Sequence, residues 1–480
     1  MLSFTPLIDN EINKPVYYQL YECIKKEIID GNIKGNEKLP SLRKLSNHLQ
    51  LSKNTVEAAY DQLYAEGYVK RIPKVGYLAE EINSDLLKIS KDLNYPSLFK
   101  EESKAIKSFK YDFEPRYMDK ECYNIRNWKN SINSVINEDF ERLLSYGDPQ
   151  GEYELRVEIA KYIYENRGVY CNPDQVIVGS GTQYCLNLIS QMLRETFDNI
   201  GMEEPGSNYV RCIFELNKFN IKPIMVKDEG LDVKELENSK CKLVFVTPSH
   251  QFPKGVIMSA RNRMELLTWA QNTNGLIIED DYDSEMRFVG KPIPALKSLD
   301  KIDKVIYVGS FSKIFMPTLR MSFMVLPNWI MEIYLEKYKM ISQTTSKLEQ
   351  LALTRFMKNG YLQSHIRRMR KHYENKYKVI TKAIQTYMGN KVNLISSNTG
   401  MRVILEIETK LTEDEIIELA KDANIKISPI SEYYIAKNNY KDNGKVRVLI
   451  SYKGIATEDI VQAIKILSES WFEKIDKNEI

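Results

Sequence analysis

The sequence predicts two unlike units in tandem, a small α+β unit at the N-terminus and a much larger α/β unit behind it. Three observations carry that expectation. A chain of 480 residues is longer than one hydrophobic core usually organises. The first eighty residues hold three short amphipathic patterns followed by two β-like runs. From residue 111 onward, short unbroken apolar runs recur at wide intervals between helical patterns, as in a buried, mostly parallel sheet.

Composition narrows the class without reaching function. Apolar residues make up 43% and charged residues 28%, the balance of a globular protein. No apolar run approaches the roughly 18 residues that span a bilayer. Residues Met1 to Pro6 lack the basic and apolar segments of a secretory signal, so the expectation is a cytoplasmic protein. The six cysteines are scattered without a C-x-x-C pair, and histidine occurs only four times. That pattern predicts reduced thiols and no metal centre. The net charge of +3 is too small to mark a nucleic-acid binder. Between Lys14 and Leu78, however, eleven Lys and Arg face seven Asp and Glu, a local basic excess.

In the small unit, Tyr17, Leu20, Ile24 and Ile28 follow helical spacing and Gly31 closes the pattern. Ser41 is placed to cap a second helix with Leu42, Leu45 and Leu49 on one face. After a turn at Gln50-Leu51-Ser52, a third helix carries Val56, Ala59, Tyr60 and Leu63 and ends at Gly67. Residues 68–72 and 76–78 are β-like runs around Pro73-Lys74-Val75, the makings of a hairpin wing. This order defines a winged helix-turn-helix, in which the third helix enters the DNA major groove. Ser52, Lys53, Asn54 and Thr55 would meet phosphates and base edges, while Arg43 and Lys74 reach the backbone. A helical docking domain with a solvated charged face is the competing reading of the pattern alone.

Residues 79–110 are rich in Lys, Glu, Asp and Ser and contain no glycine. They read as a charged linker with some helix, or as a packed element.

In the large unit, apolar strands are expected at 175–179, 242–246, 275–279 and 305–309. Open α/β sheets bind ligands at the carboxyl ends of their strands, and polar groups follow these runs. Gly179-Ser180-Gly181-Thr182-Gln183 leads into a helix and exposes backbone N–H groups suited to an anion. Asp280 and Tyr282 share one side at strand spacing. There a carboxylate could hold a pyridinium nitrogen and a phenol the neighbouring ring oxygen; an acidic loop is the plain alternative. Ser310-Phe311-Ser312-Lys313, with Arg320 beyond, gives a strand-end amine for a Schiff base and a phosphate-holding hydroxyl and guanidinium.

Two sets of strings carry family resemblances. Leu39-Pro40-Ser41-x-Arg43-x-Leu45, Leu51-Ser52-Lys53-Asn54-Thr55-Val56 and Tyr60-x-x-Leu63-x-x-Glu66-Gly67-Tyr68 resemble the GntR-type winged helix. In that family the positions of Arg43, Lys53, Asn54, Thr55 and Lys74 contact operator DNA. Lys53 stands where arginine is common, which keeps the phosphate charge without the bidentate fork that reads guanine. Residues 111–470 resemble fold-type I aminotransferases, and specifically the aminotransferase-like half of the MocR subfamily of GntR regulators. The matching strings are Tyr146-Gly147-Asp148-Pro149-Gln150-Gly151, Thr247-Pro248-Ser249-His250-Gln251-Phe252-Pro253-x-Gly255, Glu279-Asp280-Asp281-Tyr282-Asp283-Ser284-Glu285, and Ser310-Phe311-Ser312-Lys313 with Leu319-Arg320.

The resemblance implies domains at 1–78 and 111–480, with a smaller C-terminal subdomain from about 345. It implies pyridoxal 5′-phosphate held as an internal aldimine by Lys313, with Asp280 on the pyridine nitrogen and Tyr282 on O3′. Thr182, Gln183, Ser310 and Arg320 would bind the phosphate, and Tyr146 would come from the partner of a homodimer. Arg447 matches the arginine that grips a substrate carboxylate, Arg211 offers a second anion contact, and Tyr209 a stacking face. Two functions fit: a regulator that senses an amine, an amino acid or pyridoxal phosphate itself, or an aminotransferase with an accessory DNA-binding domain. The intact winged helix favours the regulator, with residual transamination by Lys313 compatible with it.

Overall fold

The computed structural model describes residues 14–82, 109–114, 118–288, 290, 293–395, 400–435 and 444–478, with side chains described up to residue 472. Contacts divide the chain into residues up to 107 and residues from 108. Among the described residues no helix is long and apolar enough to cross a membrane. All six cysteines are unpaired.

The first unit is built as the apolar spacing dictates. Helix α1 (Val16–Ile29) buries Leu20, Tyr21, Ile24 and Ile28. Tyr17, expected on this face, is exposed: it lies in the first turn, beyond the edge of the core, and Tyr21 fills the place one turn on. Helix α2 (Leu42–Leu49) is capped by Ser41, which accepts from the Lys44 N–H, and ends at Gln50 in the left-handed region. Helix α3 (Lys53–Ala65) is capped by Ser52, which accepts from Thr55 N at 3.1 Å. Val56, Ala59, Tyr60 and Leu63 are wholly buried. Strands β1 (Val69–Ile72) and β2 (Gly76–Ala79) pair antiparallel, joined by a turn in which Lys74 takes φ +66°. Ile82 still packs on this core. Of the connector expected at 79–110, residues 83–108 lie outside the described residues.

The second unit contains an eight-stranded sheet in the order β4-β11-β10-β9-β8-β5-β6-β7. Its strands are β4 (Val176–Gly179), β5 (Asn199–Glu204), β6 (Asn220–Lys227), β7 (Gly230–Leu231), β8 (Leu243–Val246), β9 (Leu276–Asp281), β10 (Val305–Ser310) and β11 (Ser322–Val325). Strands β10, β9, β8, β5 and β6 are parallel neighbours, and β11 runs against both β10 and β4. Both faces are covered, so alternate residues serve different cores. Ile177, Phe245, Ile278 and Ile306 pack under helix α5 (Thr182–Leu193). Val178, Tyr307 and Phe323 pack on the other face with α4 (Tyr153–Arg167). This double burial is why the strands read as unbroken apolar runs.

A second, antiparallel sheet has the order β12-β13-β16-β15, from β12 (Val392–Ile395), β13 (Arg402–Glu408), β15 (Ser428–Pro429) and β16 (Lys445–Ser451). It shares a core with the long helix Tyr361–Tyr387 and the helix Glu413–Asp422. Tyr111, Phe113, Met118 and Cys122 join that core, and β3 (Tyr111–Asp112) pairs with β14 (Ile425–Lys426). This core therefore draws on an early segment as well as the C-terminal residues, while Leu351, Phe356 and Leu362, just past residue 345, pack with the large sheet.

Candidate functional site

On the first unit, Ser52, Lys53 and Asn54 are exposed and Thr55 is half-buried. They form the start of α3, whose opposite face is held by the buried Val56, Ala59, Tyr60 and Leu63. Arg43 on α2 and Lys74 at the wing tip are exposed as well. The geometry presents a helix N-terminus with free donors, flanked by two cationic side chains, on a rigid three-helix base. Such a surface suits phosphates and groove-facing base edges.

On the second unit, a cavity of about 640 Å³ opens at the carboxyl ends of the parallel strands. Thr182, Gln183, Asp280, Tyr282, Ser310, Lys313 and Arg320 all line it. The eighth residue expected here, Tyr146, is fully exposed and does not line the cavity of its own chain. Each element delivers its group for a local reason. Strand β9 ends at Asp281, so Asp280 faces the cavity and Tyr282 follows at the turn. Strand β10 ends at Ser310, and the bend after it carries Ser312 and Lys313.

One end of the cavity is made for an anion. Helix α5 begins at Gly181 without a side-chain cap, leaving its first N–H groups to the cavity. Gly181 has φ +91°, and a Cβ there would lie 2.6 Å from an Arg320 nitrogen; glycine is what admits the guanidinium. Ser322 Oγ donates to Ser310 Oγ at 2.9 Å, and Thr182 lies 3.3 Å from Ser322.

The other end is made for a protonated ring. Among the described residues, Asp280 Oδ1 is buried without a hydrogen-bond partner, as is the Ser312 hydroxyl. Burial, with Asp281 adding its charge, pushes the Asp280 carboxyl up to about 7. A buried carboxylate with an orphaned oxygen is satisfied by a cationic N–H donor in the cavity. Burial and the Arg402 charge bring the Lys313 amine down to about 8, which favours its neutral, nucleophilic form. The donor set thus fits pyridoxal phosphate at the phosphate end, at the ring nitrogen and at the amine.

Several contributors were not singled out beforehand. His250 Nδ1 lies 2.9 Å from both Asp283 oxygens and 3.3 Å from the Tyr282 hydroxyl, and its ring stacks on Tyr282 with centroids 6.0 Å apart. Its position in the Thr247–Gly255 string was the available signal. Arg167 and Asp281 form a buried ion pair at 2.6 Å behind β9. Thr247, Phe252, Arg402 and Lys453 also line the cavity.

Two expected anion contacts are corrected. Arg447 does not line the cavity; its guanidinium pairs with Glu406 at 2.8 Å. The register of β13 on β16 decides this, since Arg447 faces Glu406 while Arg402 faces Ser451 at the cavity. Arg211 also stays outside, 3.9 Å from Glu215 one turn further along its own helix, Asn208–Leu216. Tyr209, in the first turn of that helix, does line the cavity and is largely exposed.

Fold and site together define a DNA-binding winged helix joined to an aminotransferase-type domain. Residues 16–78 match the bacterial regulatory proteins of the gntR family, and residues 114–464 match the class I and II aminotransferases. The chain is 38% identical to the HTH-type transcriptional regulator YdeL of Bacillus subtilis, over 98% of this chain and all of that one. It is 29% identical to the probable rhizopine catabolism regulatory protein MocR of Rhizobium meliloti, over 97% of this chain and 95% of that one. Among solved structures, the kynurenine aminotransferase of Pyrococcus horikoshii superposes with a TM-score of 0.68 at 23% identity, covering 82% of this chain and all of that one. The chain belongs to the MocR subfamily of GntR transcriptional regulators, with an aminotransferase class I and II domain as its second unit.

Proposed function

We propose that this regulator holds pyridoxal 5′-phosphate on Lys313 and couples occupation of that pocket to operator binding. The observation that carries the reading is the union, in one chain, of an exposed recognition-helix terminus and a half-buried lysine that lines the same cavity as an orphaned carboxylate. In this reading Asp280 holds the ring nitrogen and Tyr282, steadied by His250, holds O3′. Thr182, Gln183, Ser310 and Arg320 hold the phosphate. When bound, the cofactor supplies an electrophilic carbon that a primary amine can attack.

Lys313 would hold the cofactor in the resting protein, and an effector amine that took its place would leave the Lys313 amine free in the cavity. A change in the pocket biases domain arrangements only so far as the ligand prefers one of them. Tyr146, exposed on its own chain, is positioned by this reading in the pocket of a second copy, which makes the working unit a homodimer. Lys313 can also move protons, so slow transamination is compatible with a primary role in regulation. A DNA-binding regulator works in the cytoplasm. The domain limits that go with this reading are 1–78 for DNA binding and 111–480 for the cofactor, with 79–110 between.

The reading is tested by operator binding of the full-length chain with and without pyridoxal phosphate and amines. Unchanged isotherms under every condition would defeat it. On the DNA side, Lys53→Ala should weaken operator binding and lower the slope of log K against log salt by about 0.9, one phosphate contact. An unchanged slope would remove Lys53 from the interface. On the cofactor side, only the neutral amine attacks an aldehyde. The rate of cofactor capture by apoprotein should therefore rise with pH and level off above about 8, where Lys313 is deprotonated. A rate still climbing near the ordinary lysine value of 10.5 would show that the Lys313 amine is not perturbed.

A further inference from the structure

Eight charged side chains line the cavity, and most are already matched once the cofactor reading is granted. In that reading Asp280 is committed to the ring nitrogen, Arg320 to the phosphate and Lys313 to holding the cofactor. Lys426 pairs with Glu114 at 2.8 Å, and Glu432, whose carboxyl burial and Glu114 push up, lies within reach of the Lys426 charge. Asp283 is taken by His250. Two cations remain. Among the described residues Arg402 has no carboxylate partner; its guanidinium lies 5.0 Å from the Phe252 ring centroid. Lys453 likewise has no anionic partner there, although its carbonyl accepts from Lys376 at 3.4 Å and from Tyr373 at 3.3 Å. The backbone is thereby held from behind while the side chain lines the cavity.

The two cations are neighbours by strand register. Arg402 opens β13 opposite Ser451, and Lys453 lies two residues past Ser451. Burial and the charges of Lys313 and Arg402 bring the Lys453 amine down to about 7, the response of an ammonium crowded by like charges with no anion to meet it. Arginine cannot relieve the conflict by losing its proton. An anion delivered by the ligand can.

We propose that Arg402 and Lys453 form a paired acid-recognition site, so that the pocket takes a dicarboxylic amino acid, one acidic group on each cation. This assignment rests on the cofactor reading above and goes beyond it by naming the ligand class and the two residues that select it. Arg402 offers a planar fork for one carboxylate, and Lys453 a point charge for the other. Neutral side chains leave Lys453 unmatched, which is how the site would reject them.

The test uses the full-length chain loaded with pyridoxal phosphate and titrated with L-aspartate, L-glutamate, L-alanine and ethylamine, reading the visible absorbance band. L-aspartate or L-glutamate should half-saturate the change at a concentration about 10-fold or more below that for L-alanine, and L-alanine should precede ethylamine by a similar factor. Lys453→Met should erase the first advantage and keep the L-alanine response. Arg402→Gln should erase the second, Arg402→Lys should restore part of it, and Arg447→Gln should change neither. An intact visible band in each variant shows that the pocket is still assembled. Equal half-saturation by L-alanine and both dicarboxylates overturns the proposal, as does silence toward every probe in protein that carries the band. Wild-type preferences kept by both variants would do so too. Wild-type protein that shows no band on adding pyridoxal phosphate would instead defeat the cofactor reading itself.

Discussion

Lys313→Ala should abolish the visible absorbance band of the cofactor-loaded protein while leaving basal operator binding intact. The loss is expected to be complete. Among the described residues that line the cavity, no other amine follows a strand end with the α5 terminus, Arg320 and Asp280 around it. Lys453 is the nearest rival, and its amine, near 7, is neutral enough to compete. A band retained in Lys313→Ala and lost only in Lys453→Ala would move the cofactor to the second lysine. The fold should tolerate the change, because removing Lys313 takes away a cation crowded by Arg402 and leaves the carbon framework of the strand end in place. Operator binding by the apoprotein rests on α3 and the wing, which pack on the core of the first unit.

The parts of this architecture that were legible in the sequence are those governed by local periodicity and by strand ends. Unbroken apolar runs such as Val305–Val308 are buried on both faces, so they announce themselves. The groups that follow them, Asp280 and Lys313, sit in the cavity because a parallel sheet ends all its strands on one side. Ser41 caps its helix as read, since a cap depends on only three or four residues. What failed was register. Arg402 and Arg447 lie on the same face of the smaller sheet, and only the pairing of β13 with β16 shows that Arg402 sits beside Ser451 at the cavity while Arg447 lies four residues further along the strand. A strand's partner and offset are tertiary facts, and one slip of register moves every side chain. Arg211 failed for the related reason that helix rotation, set by packing of Val210 and Phe214, turns it outward. Tyr111 and Phe113 could not be assigned to the smaller core, because their backbone partners lie some three hundred residues away.

Asp281→Ala should be the most destabilising single change in the second unit, costing about 3–5 kcal/mol. Arg167 and Asp281 are both buried, with Nε to Oδ2 at 2.6 Å. Tyr307 donates its hydroxyl to the same carboxylate at 2.6 Å, and Arg167 also reaches Ser249 Oγ and the Ile293 carbonyl. Removing the carboxylate strands a guanidinium that cannot deprotonate and a phenol without its acceptor. The cost should appear as a lower urea midpoint for the second unit, with α3 and the wing unaffected. A double substitution, Arg167→Met with Asp281→Leu, should recover much of the loss, since well-packed apolar groups commonly replace a buried pair at little cost. If Asp281→Ala alone left the midpoint in place, the pair would not be buried in solution. The same substitution bears on the pocket. Asp281 is the largest charge raising the Asp280 carboxyl, so its removal should let Asp280 ionise at lower pH and hold a ring nitrogen more firmly. The pair therefore stabilises the end of β9 while weakening Asp280 as an anion, and the variant that unfolds more readily should hold its cofactor's ring proton to higher pH.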